Sequence, residues 1–306
     1  MRLIAAARAL LQPHFVYRPQ QLVRRAMLAV RQTRPGEFSE VMLPWGLPIR
    51  CRPVEGIGES IWKRGIFEPH VSEAIWRLLD PGEVAVDAGA NIGYMTSIML
   101  RRVGPRGLVI AVEPHPDIGQ ELSYNVASWR QRGFGSVVVQ LDALADRNGD
   151  GVLGIPPYFV LNRGVARLTS PDVQWTAIAR HHVRLATLDT LLLSVVGPRR
   201  HVGLLKVDVE YSELALFRGA ADTLAGRRVR DIVYEDHGGP ESDAAELLRS
   251  LGYTIFRLGR SFSGVVIADS IDGHERGVRS PDYLATLDPR RAGERLRARG
   301  WRIFRG

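Results

Sequence analysis

Short apolar runs recur through the middle of the chain, each closed by glycine, proline or charge, and most lead into residues at helical spacing. Strands are predicted at Val84–Val86, Leu108–Val112, Val137–Leu141, Leu204–Val207, Ile232–Tyr234, Thr254–Phe256 and Val265–Ala268. Helices are predicted at Ile92–Arg101, Ile118–Trp129, Glu213–Leu224 and Asp243–Leu251, where apolar positions return every turn. Strand alternating with helix predicts a parallel, doubly wound α/β sheet. Only the link Gly259–Gly264 joins the last two runs, too little for a crossover helix, so they are expected to pair antiparallel.

Upstream, residues 1–33 read as helical, with Leu22, Ala26, Met27 and Val30 on one stripe and Pro13 and Pro19 breaking the earlier part. Val41–Arg52 reads as extended strands around Pro44-Trp45-Gly46-Leu47-Pro48. Helices at Ser60–Phe67 and His70–Leu79 then lead into Pro81-Gly82. One interval breaks the rhythm. Asp142 to Val202 separates the third and fourth core strands by far more than a crossover needs, and insertions at that edge of a sheet usually cover an active site. The chain is thus divided into an N-terminal helical and strand extension (1–80), a cofactor-binding domain (81–272, with the insertion at 142–202) and a basic C-terminal tail (273–306).

Chemistry enters at Asp87-Ala88-Gly89-Ala90-Asn91-Ile92-Gly93, which joins the first core strand to its helix. Glycines in such a turn let backbone amides approach a nucleotide-like ligand. Glu113 closes the second strand, where a carboxylate can hold both ribose hydroxyls. A carboxylate at Asp87 would repel a pyrophosphate. S-adenosylmethionine has no phosphate and carries an ammonium and a sulfonium, so the same charge becomes favourable. The spacing Asp-x-Gly-x-Asn-x-Gly also departs from the dinucleotide pattern Gly-x-Gly-x-x-Gly. S-adenosylmethionine is therefore the expected cofactor, and the alternatives are an NAD-dependent oxidoreductase or a non-catalytic binding module. Asp142, at the tip of the third strand, is expected to face the adenine.

Composition changes this picture little. The 306 residues, 45% hydrophobic, suffice for one large core, and the single cysteine, Cys51, rules out an intrachain disulfide. The net charge of +8 at first suggests nucleic acid, but 39 of the 41 basic residues are arginines and they crowd the ends. Residues 1–53 carry a net +7 and residues 287–306 a net +5, which leaves the cofactor-binding body acidic. No nucleic-acid partner is expected; basic ends suit solvated termini or peripheral contact with an anionic membrane. Arg8 interrupts the apolar start, no small-residue cleavage site follows, and no run is long enough to span a bilayer, so a soluble cytoplasmic protein is expected.

A second constellation closes the fourth and fifth strands. Lys206, Asp208 and Glu210 share one face by the two-residue period, and charges there are unfavourable unless paired or functional. Asp208 is expected at the strand tip beside the cofactor crevice, either as a reacting group or as a cap for the helix carrying Glu213. Glu235 and His237 share a face at the end of the fifth strand.

These segments together resemble the FkbM-type S-adenosylmethionine-dependent methyltransferases, from about Val84 to Ala268. The likeness rests on Val86–Gly93, on Val112-Glu113-Pro114-His115-Pro116 with Asn125 beyond, on Thr187-Leu188-Asp189, and on Leu205–Glu210 followed by Glu213 and Gly219-Ala220. It implies a class I methyltransferase fold, a mostly parallel seven-stranded sheet with an antiparallel last strand. It also implies that Pro114 joins Asp87, Gly89, Asn91, Gly93 and Glu113 around the cofactor. The implied reaction is O-methylation of a hydroxyl on a sugar, glycolipid or natural product. Tyr211 stands where the family usually has glycine, so its side chain is expected to narrow the pocket or stack on a sugar, and Asn162 and Gly164 echo a family segment within the insertion. Asn162 and Tyr211 are the candidate acceptor contacts. A hydroxyl acceptor must lose a proton, either to a base among Asp208, Glu210 and His237 or by polarisation on Mg²⁺ held by Asp208 and Glu235.

Overall fold

The computed structural model describes residues 13–19, 21–22, 36–157, 159, 163–169, 177–269 and 280–305. Of the stripe expected within 1–33, Ala26, Met27 and Val30 lie outside the described residues, and Pro13–Val16 forms one helical turn. The hairpin β1 (Ser39–Met42) and β2 (Pro48–Cys51) turns at Gly46 and is followed by α1 (Gly56–Arg64) and α2 (Pro69–Leu78). The sheet begins with β3 (Val84–Ala88), α3 (Tyr94–Val103), β4 (Leu108–Val112), α4 (Pro116–Arg130) and β5 (Ser136–Gln140). The insertion supplies β6 (Ala143–Leu144), β7 (Gly149–Ile155), β8 (Arg167–Leu168), β9 (Ala179–Ala186) and α5 (Leu188–Val196). The chain then forms β10 (Val202–Val207), α6 (Glu213–Arg218), α7 (Ala221–Ala225), β11 (Val229–Glu235) and α8 (Asp243–Ser250). Last come β12 (Thr254–Ser261), β13 (Gly264–Asp269), β14 (Asp282–Thr286) and α9 (Pro289–Leu296).

The main sheet runs β13-β12-β14-β11-β10-β3-β4-β5, with β5, β4, β3, β10 and β11 parallel. Strand β3 is buried along its whole length, as a sheet covered on both faces requires. One apolar layer packs α2, α3, α4 and the β1–β2 hairpin on one face, and a second packs α5 and α8 on the other. The helix expected over Glu213–Leu224 is divided at Gly219-Ala220 into α6 and α7. The expected α/β fold with a mostly parallel sheet and an antiparallel last strand is present.

Two expectations are corrected. The sheet has eight strands, not seven, because β12 and β13 pair antiparallel as expected while β14 inserts between β11 and β12, antiparallel to both. The boundary at 272 therefore divides the sheet, since β14 is one of its strands and α9 follows directly on it. The tail arginines explain why they read otherwise: Arg291 reaches Asp231 at 3.0 Å and Asp80 at 2.7 Å, and Arg295 reaches Asp80 at 2.8 Å. The charge of these two arginines is balanced inside the molecule. Among the described residues no helix is long and apolar enough to cross a membrane.

Candidate active site

The crevice lies where β3 and β10 run side by side at the middle of the sheet, the position at which an α/β sheet reverses its winding and binds ligands. Here the strand tips nearly touch. The Asp208 amide donates to the Ala88 carbonyl at 3.1 Å, and a Cβ at position 89 would meet the Asp208 carbonyl oxygen at 1.8 Å. With φ at +75°, position 89 is glycine for two separate reasons. Asn91 follows in a left-handed turn (φ +50°), its side-chain oxygen accepting from the Ile92 amide at 2.8 Å. This turn aims the Asn91 amide at Glu113, whose two carboxylate oxygens accept from Asn91 N and His115 N, each at 2.9 Å. Burial pushes the Glu113 carboxyl up to about 7, against the pull of those two amides.

Lys206 ties the floor together. Its Nζ donates to the Gly89 carbonyl at 3.0 Å, 3.2 Å from Asp208 and 3.6 Å from Asp87. Against burial, which favours the neutral amine, Asp208, Asp87 and Glu68 hold this ammonium above its ordinary range. Asp87 is wholly buried beneath the turn, accepts from the Thr96 hydroxyl at 2.6 Å, and has its carboxyl raised by burial against the lowering effect of Lys206. It supports the turn from below and does not line the cavity.

The cavity above measures about 560 Å³, within the range of small-molecule sites. Gly89, Asn91, Glu113 and Pro114 line its cofactor side, Asp208, Glu210, Tyr211, Glu235 and His237 the other, and Arg163–Leu168 of the insertion form its roof. The insertion folds as its own four-stranded sheet, order β6-β9-β7-β8, and is latched down by Arg163, 2.7 Å from Glu121 and 3.2 Å from Glu55. Gly164 lines the cavity with it, whereas Asn162 lies outside the described residues. An open glycine turn, a carboxylate at the end of β4 and an excess of acids over bases fit a ribose-bearing cation such as S-adenosylmethionine.

At the far side the backbone is strained. Glu210 (φ +49°) and Tyr211 (φ +67°) adopt left-handed conformations in succession, so Tyr211 keeps the backbone geometry of a glycine while projecting a ring. That ring is 65% exposed, lies 5.5 Å from the His237 ring, and has the Arg167 guanidinium 5.2 Å from its centroid. His237 Nε2 is 3.4 Å from Glu235. Burial, reinforced by Asp208, raises the carboxyls of Glu210 to about 7 and of Glu235 to about 8.

Two expected roles do not fit this geometry. Asp142 accepts two hydrogen bonds from Arg184, at 2.8 and 3.1 Å, and faces away from the main cavity, which Ala143 and Leu144 line instead. Arg184 of β9 takes up its carboxylate. The Mg²⁺ site at Asp208 and Glu235 is not supported either. Asp208 is paired with Lys206 and Glu235 with His237, and among the described residues no three His, Cys, Asp or Glu side chains converge as a metal site. Lys206 already supplies the cation there.

Sequence reasoning missed Glu68, which lines the cavity from the residue before α2 with φ at +40°. Burial, with Asp282 and Asp208 nearby, holds its carboxyl well above the ordinary range. The one local signal is a carboxylate ahead of Pro69, which reads only as a helix start.

Comparison with known proteins agrees with this geometry. The family model of the methyltransferase FkbM domain matches residues 87–255, over half of the chain. Among curated proteins, a protein-L-isoaspartate O-methyltransferase of Aeropyrum pernix is 30% identical over 160 residues, covering 49% of this chain and 56% of its own. A protein-L-isoaspartate O-methyltransferase 1 of Archaeoglobus fulgidus is 30% identical over 110 residues, covering 35% of this chain and 46% of its own. The chain thus spans about half the length of the curated relatives it matches. Among solved structures, a putative rRNA methylase of Clostridium thermocellum aligns with 72% of this chain and 95% of its own at 11% identity and a TM-score of 0.39. Strand order, glycine turn and the match over residues 87–255 agree: the chain belongs to the FkbM family of S-adenosylmethionine-dependent methyltransferases.

Proposed function

We propose that the protein transfers the methyl group of S-adenosylmethionine to a hydroxyl oxygen on a sugar, glycolipid or other natural product. The observation that carries this reading is the His237–Glu235 pair, 3.4 Å apart, across the cavity from the Gly89–Gly93 turn. The cofactor supplies an electrophilic methyl on a sulfonium, whose departure needs no proton. The chain's own contribution is first geometric, since holding donor and acceptor in line removes most of the entropy of encounter. Glu113 holds the ribose, and the cavity floor of Gly89 and Asp208, propped by Lys206, fixes the end from which the methyl leaves.

A hydroxyl acceptor also sheds a proton. His237 receives it on Nδ1 while Nε2 faces Glu235, which keeps the ring oriented. Asp208 is the poorer candidate because its carboxylate is already engaged by the Lys206 ammonium, 3.2 Å away. Tyr211 flanks the ring and offers an aromatic face to the acceptor.

The test is turnover of labelled S-adenosylmethionine against a panel of glycans, glycolipids and small hydroxyl compounds, with His237→Gln in parallel. Hydroxyl methylation lost in the variant, with cofactor binding by calorimetry unchanged, supports the reading. Methylation of a carboxylate instead, which needs no proton removed and survives His237→Gln, would overturn it. Binding of NAD in place of S-adenosylmethionine would overturn the cofactor assignment.

A further inference from the structure

Four described residues line the main cavity from outside the matched domain, Gly56, Ile57, Phe67 and Glu68, and of these only Glu68 carries an ionisable side chain. Its backbone is firmly held. Tyr94, at the start of α3, accepts from the Phe67 amide at 3.1 Å. Ser72 of α2 donates its hydroxyl to the Phe67 carbonyl at 2.7 Å and its amide to the Glu68 carbonyl at 2.9 Å. These bonds pin Glu68 at φ +40°, an unfavourable conformation for a residue with a side chain. Nothing local accounts for where the side chain goes. It does not cap α2, and among the described residues no hydrogen bond or ion pair reaches its carboxyl. The carboxyl instead stands toward the ends of β10, β11 and β14, where Asp282, Asp208, Lys206 and Glu235 act on it.

An unpartnered carboxyl in a cavity wall is matched by a group of the ligand. Burial, reinforced by Asp282 and Asp208, favours the uncharged form of Glu68, which gives one hydrogen bond and takes another. A hydroxyl has the same two capacities, whereas an ammonium would call for the ionised form. We propose that Glu68 holds a hydroxyl of the acceptor other than the one that is methylated, so that the acceptor is a polyol such as a sugar rather than a compound with a single hydroxyl. This rests on reading the main cavity as the transfer site. It assigns acceptor selection in part to a residue that the N-terminal segment, and not the matched domain, brings to the cavity.

The probes are the methyl α-glycosides of glucose, galactose, mannose and rhamnose, with cyclohexanol as a single-hydroxyl control and glucosamine as a cation. They are titrated into the full chain with S-adenosylhomocysteine filling the cofactor side. Wild type is expected to bind at least one neutral glycoside about ten-fold or more tighter than cyclohexanol. Glu68→Ala is expected to remove that advantage, and Glu68→Gln, whose amide also gives and takes a hydrogen bond, to retain it within about three-fold. Melting temperature and S-adenosylhomocysteine affinity are expected to match wild type in both variants, so that a loss confined to Glu68→Ala is a loss of contact rather than of fold. No advantage in wild type, or an advantage that survives Glu68→Ala, overturns the proposal. So does tighter binding of glucosamine than of every neutral glycoside, lost in Glu68→Gln, which would make Glu68 an ionised partner for an amine. Failure of S-adenosylhomocysteine to bind would instead overturn the reading of the main cavity as the transfer site, and the glycoside titrations, repeated without it on the same two variants, would still decide the role of Glu68.

Discussion

The two sides of the crevice are built in opposite ways. On the cofactor side, glycine occupies the left-handed position 89, and Glu113 has both oxygens satisfied by backbone amides. On the acceptor side, non-glycine residues hold left-handed conformations at Glu68, Glu210 and Tyr211, and burial holds a set of carboxyls partly protonated. The cofactor side also has a left-handed non-glycine residue, Asn91, and a raised carboxyl, Glu113. Both are held by backbone hydrogen bonds of the turn, which preorganises it for a ligand that never changes. The acceptor side stores backbone strain and shifted carboxyls where protons must move.

That contrast can be broken most severely at the shared strand tips. Gly89→Val places a side chain against the Asp208 carbonyl and forces a left-handed β-branched residue. A loss of stability above about 4 kcal/mol is expected, read as a large fall in melting temperature together with lost cofactor binding. His237→Gln should separate the sides instead, lowering kcat by about 10²–10⁴ with cofactor affinity retained. Asp208→Asn should lower it less, since its charge mainly balances Lys206; single-turnover kinetics on both variants would rank them. Glu113→Gln acts on the other side alone, weakening S-adenosylmethionine binding by about 1.5–3 kcal/mol in calorimetry.

The smallest expected effect concerns stability and pH. The Glu113 carboxyl is raised in the folded protein to about 7, so between the ordinary carboxylate range and pH 7 the folded state retains a proton that the unfolded chain has lost. Stability is therefore full below that ordinary range and declines as pH rises through about 7, and Glu210 and Glu235 act in the same direction. Glu113→Gln, uncharged in both states, should raise the melting temperature of the cofactor-free protein at pH 8 relative to wild type, and should do less at pH 5. Wild type and variant melting in parallel at both values would show that Glu113 is paired well enough to offset its burial.

The same contrast sets what was legible in the sequence. The glycine turn, Glu113 and the strand carrying Lys206 and Asp208 are read from local pattern, because the chain's own turn geometry makes them a site. Glu68 and Arg163 reach the cavity only through tertiary packing, from α2 and from the insertion, and no short-range period announces that. Asp142 turns to Arg184 of the insertion, a partner 42 residues away that no local pattern announces. Strand β14 escaped notice because a short, wholly buried strand has no polar alternation to mark it, and arginines that serve Asp80 and Asp231 made its surroundings look solvated.

The position of β14 bears on how the molecule comes into being. Strand β10 emerges from the ribosome with its neighbour β3 already made, and β11 with β10, whereas the slot between β11 and β12 stays empty until residues 282–286 follow. For that interval β11 and β12 present unpaired ladder edges to the cell, the kind of surface that recruits foreign strands. Even the anchor for the closing step is late: the buried carboxylate of Glu73 takes the amides of Arg302 and Ile303, 229 and 230 residues downstream. Such distant closures slow folding, since the loop entropy must be lost before residues 282–303 bring their contacts.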